Sequence, residues 1–345
     1  MPRPAPSVSQ IDGSNLFRIV IVAYNSQDVL DATLTCLFEQ SYRDFEVVIV
    51  DNDCPQRSGH LARLPDKRFR TLTSPSNLGF AGGCNLGAKG ASSQWLIMLN
   101  PDARPRRTWL TEIVSGINRY GADVYGSTQI SHNKRWGDFI DGFGDAMSIF
   151  GLCWRGGYGQ PLSRLPDEDR EVLTPCAAAA VYRRSAFEAV GGFDESFFCY
   201  LEDVDLGLRL RGSGSRCIQL RGAVVDHDGG SSQEVGSDFS YLQTLKNTPK
   251  LIAKNIPTPL LPLVWIAMLM SRGWLDWRRR SLPRADIARA AFKEGMSAGS
   301  SDLKRRPSIR RMGTLQMAGW LSWTPRAVRE QPIVAKDVSS LRKGS

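Results

Sequence analysis

The feature that most constrains the fold is a run of five apolar residues, Trp95–Leu99, followed at once by Asn100, Pro101 and Asp102. Such a run is typical of a short strand buried on both faces of a sheet. Proline has no N–H to donate, so we expect the strand to end at Asn100. Asp102 then follows the carboxyl end of the strand, where open α/β sheets bind ligands. A carboxylate there suits a hard cation that carries a diphosphate, although Asn-Pro-Asp by itself is more typical of an Asx turn.

Two further buried strands are predicted upstream. Residues 18–23 and 46–50 are almost wholly apolar, and residues 27–40 between them have the apolar spacing of an amphipathic helix. Strand, helix and strand within about thirty residues form a right-handed βαβ unit. Asp51 follows the second strand, at a position where an acid can bind the ribose or base of a nucleotide. Capping of the following turn explains Asp51 equally well.

A glycine-rich stretch, residues 77–87, contains four glycines and two asparagines. Its spacing matches neither the phosphate-binding P-loop nor the dinucleotide fingerprint. We interpret it as a loop that approaches a ligand or opens a helix against one, with its asparagines in a pocket wall. Residues 108–120 predict a helix, and residues 216–220 and 223–225 predict two short strands. Residues 131–169 show no clear period, which is typical of a functional or mobile irregular segment.

Aromatic and acidic residues cluster between positions 191 and 211. The apolar spacing predicts a helix that begins near Glu202. Glu202, Asp203 and Asp205 in its first turn complement the helix dipole, and Asp205 can pair with Arg209. That interpretation does not explain the aromatic residues directly before the helix, which can stack on the face of a sugar. These aromatic residues are Phe197, Phe198 and Tyr200.

His227, one of three histidines, lies between two acids in a glycine-rich stretch. A lone histidine is more often structural than a metal ligand. Because Asp102 is a candidate ligand for a cation, metal binding by His227 is as plausible here as a structural role.

The net charge of +9 is unevenly distributed. From Lys246 onward the chain has 20 basic and 6 acidic residues, against 24 and 29 before it, and it carries five of the nine tryptophans. Residues 256–270 are apolar but too short to span a membrane. With the basic residues 278–280 beside them, they are typical of an interfacial segment on an anionic membrane. A core helix with a solvated basic surface is the alternative.

We therefore expect three parts: a disordered leader at residues 1–16, an α/β domain at 17–245, and a basic, Trp-rich, helical, membrane-associating extension at 246–345. Seven scattered cysteines without a Cys-x-x-Cys pair favour reduced thiols over disulfides or a zinc site. The expected location is cytoplasmic, at the inner face of the cell membrane. The tail has no RNA-binding signature, so nucleic acid is not an expected partner.

Taken together, these stretches resemble glycosyltransferase family 2, the inverting sugar-nucleotide transferases of GT-A fold, and most of all its bacterial rhamnosyltransferase-like branch. The resemblance covers roughly residues 17–230. It implies an α/β fold, a Rossmann-like mixed sheet flanked by helices, with a basic C-terminal helical extension. The matching segments are Val22-Ala-Tyr-Asn-Ser26, Val48-Ile-Val-Asp-Asn52, residues 77–85, Leu99-Asn-Pro-Asp102, and Gly191-Gly-Phe-Asp-Glu through Glu202-Asp-Val-Asp-Leu-Gly-Leu-Arg209.

The resemblance also implies roles for individual residues. Asp203 is the implied catalytic base, and Asp102 and His227 are the implied ligands of a divalent cation, Mn²⁺ or Mg²⁺. The implied donor site comprises Ala23, Tyr24, Asn25, Asp51, Asn77, Gly83, Asn85, Asn100 and Asp102. The implied acceptor site comprises Phe198, Tyr200 and Glu202. Asn100 stands where many relatives carry the first acid of an Asp-x-Asp triplet, which leaves the cation one carboxylate fewer.

The expected activity is inverting transfer of a sugar from a dTDP- or UDP-linked donor, with dTDP-rhamnose favoured. The acceptor is a hydroxyl of a cell-envelope glycan or a polyprenyl-linked molecule. A carboxylate takes the hydroxyl proton while the cation neutralises the leaving diphosphate. The alternatives are a sugar nucleotidyltransferase, a non-catalytic protein that binds sugar nucleotides or lipids, and a nucleic-acid-binding protein. A homo-oligomer is compatible with the sequence.

Overall fold

The computed structural model describes residues 15–53, 64–133, 137–227, 238–278, 285–304 and 311–341. The leader expected at 1–16 therefore lies almost entirely outside the described residues. The strands within these ranges are β1 Phe17–Ala23, β2 Phe45–Asp51, β3 Phe69–Thr73, β4 Trp95–Leu99, β5 Ala103–Pro105, β6 Val124–Asn133, β7 Gly137–Gly142, β8 Asp145–Ser148, β9 Cys153–Arg155, β10 Arg170–Val172, β11 Ala179–Arg183, β12 Cys217–His227, β13 Leu321–Ser322 and β14 Ala335–Lys336. The α-helices are α1 Gln27–Phe38, α2 Gly79–Ala88, α3 Trp109–Tyr120, α4 Arg184–Ala189, α5 Glu202–Gly212, α6 Asp238–Asn255, α7 Leu261–Arg278, α8 Ala285–Lys304, α9 Thr314–Ala318 and α10 Pro325–Glu330.

Most strands join one mixed sheet in the order β14-β10-β12-β6-β11-β4-β1-β2-β3, with β5 pairing β12 and β7 pairing β6. The neighbours β3, β2, β1 and β4 are parallel, whereas β11 runs antiparallel to β4 and to β6. Strands β13, β8 and β9 form a separate three-stranded sheet. The predicted α/β class, with a mixed sheet flanked by helices, is confirmed.

Two apolar layers enclose the sheet, because successive side chains of a strand point to opposite faces. Ile19 and Ile21 of β1 pack with the apolar sides of α1 and α3. Val20 and Val22 pack on the other face with α2, α4 and α5. This alternation explains why the central strands are apolar throughout.

Most of the glycine-rich stretch forms a helix, α2, so of the two alternatives the stretch opens a helix and is not an extended loop. Its glycines allow close contact with the sheet: a Cβ on Gly87 would lie only 2.4 Å from Cγ1 of Val20. Glycine is unfavourable inside a helix, so packing overrides the local preference on which the loop interpretation rested.

Two other segments differ from the predictions. The two short strands expected at 216–220 and 223–225 are one strand, β12, with a register shift between Leu220 and Val224 where it pairs with β6. The segment expected to be irregular, 131–169, contains β7, β8 and β9. These three strands are short, with buried polar residues among the apolar ones, so none follows a clean period-two pattern.

The basic tail is packed against the rest of the molecule. Helix α6 continues across residues 245 and 246, so the expected domain division falls inside a helix. Leu251 and Ile252 of α6 are fully buried in a third apolar cluster with residues of α5 and α7. Within the described part of the chain, no helix combines the length and the apolar character that crossing a membrane requires.

Candidate active site

The carboxyl ends of β1, β2 and β4 lie at one edge of the sheet, because these strands are parallel neighbours. Ala23 and Asp51 end their strands side by side and in register. The Asn52 N–H donates to the Ala23 carbonyl at 3.0 Å, which holds the two strand ends together. Tyr24 and Asn25 follow β1, and Asn25 has a positive φ of 49°. The structure thus gathers these four expected donor residues at one edge.

Asn52, which the sequence reasoning did not select, connects this edge to α2. Its buried amide donates to Asn77 Oδ1 at 3.0 Å and to the Gly79 carbonyl at 3.1 Å. Its Oδ1 accepts from the Leu78 N–H at 2.9 Å. Asn77 is therefore held beside the end of β2. The sequence feature that could have identified Asn52 is its position directly after Asp51, the acid at the end of β2.

Gly83 and Asn85 lie on other sides of α2, where they serve packing. A Cβ on Gly83 would lie 2.6 Å from Cγ1 of Val22, so this glycine faces the sheet and leaves no space for a ligand. Asn85 donates to the Phe193 carbonyl at 2.9 Å and accepts from the Phe193 N–H at 3.0 Å. The structure does not bring these two residues to the strand ends.

Asp102 and His227 meet because β5, directly after Asp102, pairs with the end of β12 and sets Ala103 opposite His227. His227 Nε2 lies 3.2 Å from Asp102 Oδ1, and its Nδ1 lies 2.7 Å from Asp141 Oδ2. Asn100 Nδ2 lies 3.5 Å from the same Nε2. The histidine and both carboxylates are buried.

The surroundings of His227 fit a divalent cation. Burial lowers the pKa of His227, but the hydrogen bonds with Asp102 and Asp141 outweigh it and raise the pKa to about 9, so a cation that binds Nε2 would have to displace the proton there. A carboxylate oxygen and an imidazole nitrogen 3.2 Å apart form a donor set that Mn²⁺ accepts. Metal-bound histidines usually have their second nitrogen fixed by a carboxylate, as Asp141 does here. Asp102 and His227 would hold the ion, and Asp141 would orient the ring.

Asp141 and Arg155 are candidate site residues that the sequence did not reveal. The Asp141 carboxylate bonds both His227 and the guanidinium of Arg155. Asp141 and His227 are 86 positions apart, and they meet only because β7 and β12 both pair with β6. The interpretation of 131–169 as a functional segment identified the region, but no local motif marked the residue.

Asp205, one of three acids in the first turn of α5, is fully buried. Its carboxylate bonds Arg209 Nε at 2.7 Å and Lys254 Nζ at 3.0 Å. The predicted pairing with Arg209 is confirmed. Burial raises the pKa of Asp205, but the two cations outweigh burial and hold the pKa below its usual range. Asp205 is a neutralised structural group.

Asp203 and Glu202 have different surroundings. Asp203 is partly exposed; its Oδ2 accepts from Ala177 N–H at 3.1 Å and its Oδ1 from Val204 N–H at 2.8 Å. Burial raises the pKa of Asp203 in spite of these bonds. Glu202 is 6% exposed, and within the described residues its Oε2 has no hydrogen-bond partner. Burial and the neighbouring Asp203 raise the pKa of Glu202 well above its usual range.

The loop before α5 is strained. Phe198, Tyr200 and Leu201 have positive φ values of 63°, 66° and 69°, a conformation that costs roughly 1–3 kcal/mol per non-glycine residue. The side-chain amide of Asn247 in α6 holds the loop by donating to three carbonyls within residues 197–200, at 2.7–2.9 Å. Strain fixed in this way is typical of ligand-binding loops.

Phe198 also joins the strained loop to the start of α2. Its carbonyl accepts from the Ala81 N–H at 3.1 Å. A Cβ on Gly79 would lie 2.3 Å from that carbonyl oxygen, so this contact needs glycine, as does the positive φ of 68° at Gly79. The expected acceptor residues therefore border the segment that carries Asn77.

The chain is similar to known sugar-transferring proteins in sequence. Residues 18–191 match the family model of glycosyl transferase family 2. The chain is 29% identical to the O-antigen biosynthesis protein RfbC of Myxococcus xanthus. The match covers 64% of this chain but only 18% of that protein. The chain is 28% identical to the N-acetylglucosaminyl-diphospho-decaprenol L-rhamnosyltransferase of Mycobacterium tuberculosis, over 62% of this chain and 76% of that protein.

Solved structures are similar in fold. GalNAc-T7 with UDP, GalNAc and Mn²⁺ matches with a TM-score of 0.60 and 16% identity, covering 89% of this chain and 62% of the other. The mannosyltransferase PcManGT of Pyrobaculum calidifontis, with GDP-Man and Mn²⁺, matches with a TM-score of 0.53 and 13% identity, covering 88% and 90%. These likenesses confirm the predicted GT-A fold. The family model covers half of the chain and includes β1, β2, α2 and β4, which carry most of the gathered residues: this chain belongs to glycosyl transferase family 2.

Proposed function

We propose that the protein is an inverting glycosyltransferase that moves a sugar from a nucleotide donor to a hydroxyl of a cell-envelope glycan or lipid-linked acceptor. Support comes from the family membership and from the two groups of side chains that border each other at the sheet edge. The first group consists of Asp51 and Asn77 near the ends of β1 and β2, Asp102 after β4, and His227 at the end of β12 beside Asp102. The second group consists of the strained loop and Asp203, and it meets the first where Phe198 contacts the start of α2.

The surroundings of Asp203 are the observation that carries the proposal. Asp203 is the acid of the first turn of α5 that is neither paired with a cation nor among the buried residues. Two backbone N–H groups fix its carboxylate, and the surrounding protein partly removes that carboxylate from water, which raises its pKa toward the range that suits a general base. The acceptor hydroxyl gives its proton to Asp203 as its oxygen bonds the anomeric carbon. The bond from that carbon to the diphosphate breaks on the opposite face, which inverts the centre.

The donor is oriented by the chain's own residues. Asp51 accepts hydrogen bonds from the nucleoside, and Asn77 adds an amide beside it. Asp102 and His227 would hold a divalent cation, which when bound would neutralise charge on the diphosphate. Asp141 fixes the imidazole ring so that Nε2 faces Asp102. Gly83 and Asn85 are left out of the proposed donor site because they pack inside the fold.

Rhamnose from dTDP-rhamnose is the donor sugar that we favour. The mycobacterial relative is named as an L-rhamnosyltransferase that acts on an N-acetylglucosaminyl-diphospho-decaprenol. That name also supports an acceptor carried on a polyprenyl diphosphate, which resides in a membrane.

Helix α7 supports peripheral attachment to an anionic membrane. One of its faces is buried through Val264, Met268 and Arg272. The other exposes large apolar side chains at a helical spacing, with Arg278 stacked on the Trp274 ring at 4.8 Å. An exposed apolar stripe beside basic residues is typical of a helix that lies in the membrane interface. The exposed residues are Leu263, Ile266, Leu269, Met270, Trp274 and Trp277.

A product assay tests the proposed function. The purified protein is incubated with Mn²⁺, a polyprenyl-diphosphate glycan and, in turn, dTDP-rhamnose, UDP-GlcNAc and GDP-mannose. We expect acceptor-dependent release of the nucleoside diphosphate from one donor, with the new linkage opposite in anomeric configuration to the donor. Release of pyrophosphate when a nucleoside triphosphate and a sugar 1-phosphate replace the nucleotide sugar would identify a nucleotidyltransferase, and tight donor binding without any release would identify a non-catalytic binding protein.

A further inference from the structure

A second carboxyl group, Asp145, lies beside the base. Single ligand atoms of Asp145, Cys176 and Asp203 all lie within 4.8 Å of one another. The segment 174–177 fixes both acids: the Asp145 N–H donates to the Thr174 carbonyl at 2.8 Å, and the Asp203 carboxylate accepts from the Ala177 N–H. The separation between the two carboxyl groups is therefore built into the backbone.

Asp145 is buried but incompletely bonded. It is only 5% exposed, and among the described residues its Oδ2 has no hydrogen-bond partner. A buried carboxyl oxygen without a partner destabilises the folded protein. Burial and the nearby Asp203 raise the pKa of Asp145 well above its usual range. A buried carboxyl group that lacks a hydrogen-bond partner next to a catalytic base points to a hydrogen-bond partner on the substrate.

The position of Asp145 indicates which part of the substrate that partner is. Asp145 follows Asp141 by four residues, and Asp141 bonds His227 next to Asp102. The anomeric carbon of the transferred sugar is bonded to the diphosphate at Asp102 and is attacked from the side of the base, Asp203. The sugar must therefore extend from the diphosphate to the base. We propose that Asp145 binds a hydroxyl of the transferred sugar and so selects the donor; the inference rests on the proposed function.

A second metal ion fits this cluster less well. Both carboxylate oxygens of Asp203 already accept backbone N–H groups. The positive charge of Arg155 acts on Asp145 and Asp203 and opposes a cation there. Burial raises the pKa of the Cys176 thiol well above its usual range, so the thiolate that a metal needs is disfavoured. A sugar hydroxyl, which is neutral and donates a hydrogen bond, meets none of these objections.

Calorimetry with Asp145→Ala tests the assignment. The probes are dTDP-rhamnose, UDP-GlcNAc, GDP-mannose and the matching nucleoside diphosphates, each with Mn²⁺. For the donor that binds the wild type best, we expect affinity to fall about tenfold or more in Asp145→Ala, as for loss of a hydrogen bond to a carboxyl group. Affinity for its nucleoside diphosphate should stay unchanged. Asp145→Asn, which keeps the shape and one acceptor, should lose less, and it serves in place of Asp145→Ala if that variant does not fold.

Asp138→Asn is the matched control, because it removes an exposed carboxylate from β7 that contacts only the surface residue His132 in the described structure. The control should bind every probe like the wild type. Equal losses for donor and nucleoside diphosphate, no loss at all, or loss of a second Mn²⁺ site with donor binding intact would each overturn the role of Asp145. Failure of the wild type to bind any nucleotide sugar would instead overturn the proposed function and the inference with it.

Discussion

At the scale of single residues, burial and hydrogen bonding separate acids that look alike in the sequence. Asp205 is fully buried and bonded to Arg209 and Lys254. Glu202 is buried with one oxygen unpaired within the described structure, and Asp203 is partly exposed. An acid that must take a proton from substrate needs access and a fixed position. Asp203 meets both requirements, so the proposed roles follow from the surroundings and not from charge alone.

Replacing Asp203 with Asn should lower turnover by about two to four orders of magnitude, because the amide keeps the shape but cannot accept the proton. Donor binding should change little. Glu202→Gln should be milder, and Asp205→Asn should lower the melting temperature more than the turnover. Steady-state kinetics and thermal unfolding distinguish these outcomes. A dead Glu202→Gln enzyme beside a nearly active Asp203→Asn enzyme would reassign the base to Glu202.

The pH dependence of the reaction should reflect Asp203. Burial raises its pKa, and a base works only when deprotonated. Activity should therefore be lost as the pH falls, with a midpoint above the value of about 4 that is usual for aspartate. The profile of kcat/KM against pH, measured with saturating Mn²⁺, provides the midpoint. A midpoint at or below the usual value would contradict the assignment.

Asp141→Asn should weaken the response to Mn²⁺ by about 10- to 100-fold, the usual effect of removing the partner that orients a metal-bound histidine. The reason is that Asp141 holds His227 Nδ1 at 2.7 Å. Asp226→Asn is the control, since Asp226 is adjacent to His227 in sequence but bonds Arg106 and His132 at 2.9 Å. Titration of activity with Mn²⁺ measures the effect. Similar titration curves for the two variants would remove Asp141 from the metal site.

At the scale of helices and strands, the sequence predicts what depends on local pattern and misses what depends on contact. The apolar runs of β1, β2 and β4 and the acids at their ends were predictable, because parallel strands expose their carboxyl ends together. Helix α2 was not, since only the close approach to Val20 and Val22 makes its glycines favourable. Asp141 and Asp145 lie on short strands that pair with strands nearby in sequence, but the side chains beside them, His227 and Asp203, are far away in sequence. No local period could have revealed them.

Asn247→Ala should release the strained loop, because the Cys199 and Tyr200 carbonyls lose this donor, whereas the Phe197 carbonyl keeps a hydrogen bond from Gln243. We expect a lower kcat and a higher KM for the acceptor, with the KM for the donor unchanged. Asn247→Asp should behave alike, since a carboxylate cannot donate to these carbonyls. Thr244→Ala, which removes a hydroxyl bonded only within α6 among the described contacts, is the control. A lower kcat with neither KM changed would indicate general unfolding, and equal rises in both KM values would contradict an effect confined to the acceptor loop.

At the scale of the whole molecule, the basic tail serves the fold as well as the surface. Lys250 and Lys254 are buried, and their amines lie 4.3 and 5.1 Å from the Phe197 ring centre. Lys254 also bonds Asp194 at 2.6 Å and Asp205 at 3.0 Å. Truncation before Lys246 would cut α6 and leave Asp205 without one of its cations. Such a truncation would damage the active site and the surface together, so membrane attachment needs a test by surface substitution.

Trp274→Ser together with Trp277→Ser should reduce binding to anionic vesicles while leaving soluble activity intact. The two indole rings are 53% and 64% exposed, so the fold loses little when they are replaced, whereas an inserted helix loses its deepest apolar groups. Sedimentation with vesicles of mixed neutral and anionic lipid measures binding, and high salt should weaken it for the intact chain because each basic residue near the surface contributes about 1 kcal/mol. Trp323→Ser, which removes another exposed indole outside α7, is the control. Undiminished binding by the double variant, or equal loss in the control, would show that the exposed face of α7 does not contact the membrane.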